Sequence, residues 1–184
     1  MSGAEQGPRG QGRPAIWTAG YTAAELDDAQ ARFALRFPPD LVALLRARRP
    51  LRGYDWTGPE DPIRRALAWP LAGLLFDVEN GLWRPEWGER PADAGERAEC
   101  VTALVAAAPP LIPILGHRYL PAEPLEAGNP VLSVYQSDII YYGRDLEDYF
   151  ARESGGGTGP VTAPVRRIRF WSDIIDVPPT RWPA

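Results

Sequence analysis

PPLIPILGHRYLPAEPLEAGNPVLSVYQSDIIYYGRDLEDYF, residues Pro109 to Phe150, carries most of the strand signal of this chain. Val131 to Gln136 and Ile139 to Tyr142 are rich in β-branched and aromatic residues, which suit a pleated, half-buried surface. Leu111 to Leu115 predicts another strand, and Pro113 within it points to a sheet edge, because proline cannot donate to a ladder. Arg118 to Leu120 predicts a fourth. Asn129-Pro130 marks a turn, and Gly143 breaks the last run. Asp145 then serves as the N-cap of a short helix to Arg152, with Glu147 and Asp148 favourable in its first turn.

Upstream, the helices come first. Thr22-Ala23-Ala24-Glu25 reads as a capping box, and Leu26, Ala29, Phe33 and Phe37 fall on one helical face. Pro38 and Pro39 stop that helix. Asp40 is expected to cap a second one carrying Leu41, Leu44 and Leu45, with Arg46, Arg48, Arg49 and Arg52 as its solvated end. Gly53 to Pro62 reads as a loop from which Trp56 packs back on the core. Ile63 to Leu67 predicts a short helix ended by Pro70. LAGLLFDVENGLW (71–83) is apolar up to Asn80-Gly81, a hairpin signal, although its first part is also compatible with helix. Asp93 to Glu96 repeats the capping pattern, and Ala98, Val101, Leu104 and Val105 form a stripe that Pro109 ends. Downstream, 154–160 reads as a flexible loop, Arg167 to Phe170 as a final strand, and Trp171 to Ile175 as a turn packed on the core. The sum predicts a single α+β domain over 15–178, mainly an antiparallel sheet with helices packed on one side. A disordered tail at 1–14 and a C-terminal tail at 179–184 are expected beside it.

Composition narrows the function classes. The 184 residues are 45% hydrophobic and 24% charged, ordinary for a globular domain. No run of about 18 uncharged apolar residues exists, so a membrane is not an expected partner. The polar N-terminus has no apolar h-region, which makes the cytoplasm the expected compartment. One cysteine, Cys100, and one histidine, His117, are too few for the usual zinc clusters. The net charge is -4, and all 20 basic side chains are Arg. Codon bias and a use for bidentate pairing both fit an all-arginine complement. The acidic balance argues against nucleic acid, which needs a basic face to displace counterions.

Candidate chemistry is sparse. A mechanism built on His117 needs a nucleophile and an orienting acid. Ser133 and Asp138 are available, but no motif ties them to it, so a small hydrolase using His117 stands as an alternative and a loop-bonding histidine as the simpler reading. Asp145, Glu147 and Asp148 are explained by helix capping. Gly155 to Gly159 lacks the Lys and Ser/Thr of a phosphate loop. Cys100 reads as a buried, inert thiol. The aromatics remain: seven Trp and seven Tyr, of which Trp83, Trp87, Tyr119, Tyr135, Tyr141, Tyr142 and Trp171 fall around the strands. Tyr141 and Tyr142 alternate faces. Because Trp, Tyr and Arg tend to anchor interfaces, Trp83, Trp87, Tyr119, Tyr142 and Asp138 are the candidate partner-binding residues. No catalytic residue, metal or cofactor is expected.

GHRYLPAEP (116–124), GNPVLSVYQSDIIYYGRDLEDYF (128–150) and IRFWSDII (168–175) resemble the SUKH superfamily, which groups fungal cell-wall-synthesis regulators of the Smi/Knr type with many bacterial domains. FPPDLVALL (37–45) matches its proline step before a short helix, and FDVENGLWRPEWGERP (76–91) resembles a bacterial branch. The family's common Asn-Gly after the second helix is replaced here by Arg48 to Tyr54. The resemblance implies an α+β fold whose mostly antiparallel sheet carries helices. It implies a non-enzymatic protein-binding domain without shared catalytic residues. In many bacterial members this is an immunity protein that blocks a toxin domain, and a regulatory scaffold with a cellular protein partner is the alternative.

Overall fold

Thr22 starts the first helix as its sequence requires. The computed structural model describes residues 17–156, 161 and 164–177; the expected tails at 1–14 and 179–184 and the glycines beyond 156 lie outside them. Glu25 N–H donates to the Thr22 hydroxyl, and Thr22 N–H donates to the Glu25 carboxylate at 2.7 Å, closing the capping box of α1 (Ala23–Phe33). Leu26, Ala29 and Phe33 are its buried face. The helix stops at Ala34, which takes left-handed backbone (φ 52°). Phe37 therefore lies past the helix, held because its N–H donates to the Gln30 side chain at 2.8 Å.

Two expectations for the next segment change. Pro39, not a residue after Asp40, begins α2 (Pro39–Ala47), so Asp40 sits in its first turn. Its carboxylate accepts from Gly128 N–H at 2.9 Å, across the fold. The arginine run is a solvated helix end only at Arg46, exposed in the last turn of α2. Arg48–Pro50 forms β2, paired antiparallel with β1 (Trp17–Ala19). This small ribbon closes because Tyr21 N–H donates to Leu45 O at 2.8 Å as the chain turns into α1.

The largest correction is α3, a continuous 20-residue helix (Glu60–Glu79) with Pro70 inside it. Proline at this point lacks the N–H that would bond the carbonyl four residues back. That carbonyl belongs to Ala66, and the buried Tyr119 hydroxyl donates to it at 2.8 Å. A tertiary donor thus replaces the bond that Pro70 removes. Asn80-Gly81 makes no hairpin. Gly81 (φ 101°) follows the helix, Gly81 N–H donates to Val78 O, and Leu82 N–H donates to Asp77 O. This is the Schellman arrangement that satisfies final helical carbonyls.

The second cap signal holds. Asp93 accepts from Glu96 N–H at 3.0 Å and begins α4 (Ala94–Ala107). The sheet follows as read, with β3 (Leu111–Leu115), β4 (Arg118–Pro121), β5 (Val131–Tyr135) and β6 (Asp138–Gly143) side by side, all antiparallel. Pro113 occupies the edge strand β3, where its missing N–H is tolerated. Arg167 to Phe170 forms no strand. It leads into α6 (Trp171–Asp176), anchored where Ile168 N–H donates to the Ser172 hydroxyl at 2.7 Å.

The class is α+β in one domain with antiparallel sheets, but the helices are not confined to one side. Ile112, Leu120 and Val131 face α1, α2 and α5 (Leu146–Ala151). Leu111, Tyr119, Leu132 and Val134 face α3, α4 and α6. The reason is visible in β5, where Val131 to Val134 are buried without alternation, the pattern of a strand covered on both faces. Among the described residues, no helix is long and apolar enough to cross a membrane.

Candidate functional site

The continuity of α3 creates a surface that its two halves would not make separately. Trp69, Ala72 and Phe76 recur at helical spacing on its solvent side. Trp69 is 42% and Phe76 53% exposed. The β5–β6 turn lies against the same helix. A Cβ on Gly73 would come within 2.8 Å of Gln136 Cα, so only glycine lets the turn approach this closely. Ser137 N–H donates to the Asp77 carboxylate at 2.8 Å, and the Trp69 indole N–H donates to Val134 O at 3.1 Å. These bonds set Tyr135, 55% exposed, against Trp69 with ring centroids 5.9 Å apart. Trp69 and Tyr135 form an exposed aromatic pair, and Phe76 stands two turns along the same side of α3.

A pocket of about 350 Å³ adjoins this face at the β3–β4 turn. Tyr54, Arg65, Trp69, His117 and Tyr119 line it. The Tyr54 hydroxyl donates to Gly116 O at 2.8 Å, which fixes the turn carrying His117. Burial raises the Tyr54 phenol above its usual range, so it acts as a neutral donor. The His117 ring stands edge-on to Tyr135 at 6.3 Å. Partial burial, with the Arg118 charge next, holds His117 below the ordinary imidazole range, and the more distant Glu153 opposes the shift. Among the described residues no carboxylate hydrogen-bonds this imidazole.

A pH dependence follows from that direction. The folded state holds His117 neutral more strongly than the unfolded chain does. Its stabilising contribution is present above the unfolded imidazole value and is lost as pH falls through the lower folded one. An NMR titration of the His117 ring is expected to give a midpoint below the ordinary imidazole value. A midpoint at or above it would contradict this placement.

The five residues read from the sequence as partner contacts scatter. Trp83 and Tyr119 are 4% and 1% exposed, so neither ring offers a free surface. Trp83 packs edge-on against the half-buried Trp87 at 5.5 Å and donates its indole N–H to Gly88 O. Tyr119 contributes only the pocket floor, with its hydroxyl spent on Ala66. Tyr142 is half-buried beneath the Arg118 guanidinium, 3.7 Å from its ring, beside Tyr149. Asp138 alone stands at the aromatic face, exposed and in register with Tyr135. Cys100, expected to be buried, is half-buried on α4. Asp145 is the N-cap as read, accepting from Asp148 N–H at 2.8 Å.

Trp69, Phe76, Arg65 and Tyr54 escaped the sequence reading. The signal for the first two was the spacing of Trp69, Ala72 and Phe76, which becomes a stripe only if the helix runs through Pro70. No protein-family model, no curated protein and no solved structure matches this chain.

Proposed function

We propose that this chain is a non-enzymatic protein-binding domain of the SUKH type, acting in the cytoplasm, and that it docks a partner protein on the α3 and β5–β6 face. In its specific form the partner is a toxin domain that this chain blocks. One observation carries the reading: Trp69 and Tyr135 pack together yet stay exposed beside a pocket lined by Tyr54 and Arg65, with Phe76 exposed further along α3. Exposed apolar patches of this kind on a soluble domain mark interaction sites, and Trp, Tyr and Arg are the residues that most often dominate binding energy. The four helices before a four-stranded antiparallel sheet are compatible with the family reading.

The test is co-purification from the native host with the tagged chain and with a Trp69→Ala/Tyr135→Ala variant. A partner held by the native chain is expected to be lost by the variant, at a cost of about 2 kcal/mol in affinity and with little change in melting midpoint. A toxin-like domain in that partner selects the immunity form, and any other stable partner selects the regulatory scaffold. A partner retained at full affinity by the variant overturns the assignment of this face.

A further inference from the structure

A second concave surface lies in the other layer of the fold, between α2 and α5, with a volume of about 740 Å³. Trp17, Leu44, Leu146 and Phe150 supply its apolar lining, and the Trp17 and Phe150 rings pack at 4.7 Å. Three carboxylates, Asp40, Asp145 and Glu147, line it against one cation, Arg48. The Arg48 guanidinium already lies on the Trp17 ring, 4.2 Å from its centroid. That ring is therefore already engaged by cation–π stacking within the chain, so what the groove can still offer a cation rests on its carboxylates.

The carboxylates differ in what they have left to offer. Asp40 accepts from Leu41 and Gly128 N–H, and Asp145 accepts from Asp148 N–H and pairs with Arg144. These two are held in place by the fold. Glu147 is exposed on α5, and no described residue pairs with it. An apolar floor, two carboxylates fixed by the fold and one free carboxylate complement an arginine flanked by apolar side chains. A guanidinium pairs with carboxylate in a planar fork, which an ammonium cannot do. An acidic or uncharged segment would bring no cation to Glu147 and would leave Arg48 as the one cation in the lining.

We infer that the α2–α5 groove is a docking site for an arginine-bearing, otherwise apolar segment of a partner protein. It rests on residues separate from the α3 face and stands or falls independently of what that face binds.

The probe is a blocked synthetic hexapeptide alternating leucine and arginine, with its leucine–glutamate counterpart as control, titrated into the full ¹⁵N-labelled chain. The arginine peptide is expected to shift the Trp17 indole N–H and the Phe150 and Ser154 amides, and the glutamate peptide to leave them in place. Glu147→Arg is expected to weaken the arginine peptide about fivefold, the scale of reversing one exposed charge pair. Glu147→Gln gives a smaller loss and serves if the reversal perturbs α5. Three outcomes overturn the inference: both peptides shift Trp17 alike, neither shifts it, or affinity is unchanged in both Glu147 variants.

Discussion

Trp171→Ala is expected to destabilise the chain by about 4 kcal/mol, the range for removing a large aromatic from a packed core. Trp171 is among the largest fully buried side chains. It packs edge-on with Phe170 at 4.9 Å and shares its cluster with Val101, Leu132 and Ile174. Its indole N–H also donates to Pro109 O at 2.8 Å within the core. Pro109 lies between α4 and β3, so one side chain ties α6 to the α4–β3 connection. Removing it leaves both a cavity and an unpaired buried carbonyl. Trp171→Phe separates the two effects: it keeps much of the volume but strands the carbonyl, at about 1–3 kcal/mol. Chemical denaturation of the three proteins checks both values. A loss below about 1 kcal/mol for Trp171→Ala would mean that α6 is not part of the cooperative core.

Gly20→Ala is expected to cost about 3 kcal/mol, the upper end for forcing atoms into filled space. A Cβ at Gly20 would lie 2.7 Å from Leu45 O and closer still to the Arg46 carbonyl. Both obstacles are backbone at the end of α2, so no side-chain rotation relieves them. The chain must move instead, which strains the bond from Tyr21 N–H to Leu45 O. The same movement displaces β1, and with it Trp17 from Phe150 and Arg48. The variant is therefore expected to lose hydrogen-exchange protection at Tyr21 and to distort the α2–α5 groove. Unchanged stability together with full Tyr21 protection would show that this approach is looser than its geometry indicates.

Much of the fold was legible because its signals are local. Thr22 with Glu25, and Asp93 with Glu96, are contacts three residues apart, which neighbouring residues alone can specify. The strands at 111–115, 118–121, 131–135 and 138–143 follow from β-branched and aromatic runs broken by turns, and Pro113 gave the edge position correctly. Where reading failed, a distant residue had overruled the local rule. Pro70 is a helix breaker in isolation, and Arg48 to Pro50 looks like a solvated helix end until β1 pairs with it.

The site was less legible than the fold. Sequence places aromatics near strands but does not say which are covered, because exposure depends on what packs above them. Trp83 and Trp69 are the same residue type, each with a bonded indole N–H, yet one lies in the core and the other stands half in solvent.

By itself, then, the sequence determined the α+β class, the helix caps and the antiparallel strand run, all of which rest on composition and short-range chemistry. Only the tertiary structure decided that α3 is one helix, that helices cover both sheet faces, and that Tyr135 packs on Trp69. The physical reason is that each depends on long-range contacts, as in α3, where the Tyr119 hydroxyl, 53 residues away along the chain, supplies the donor that Ala66 loses to Pro70.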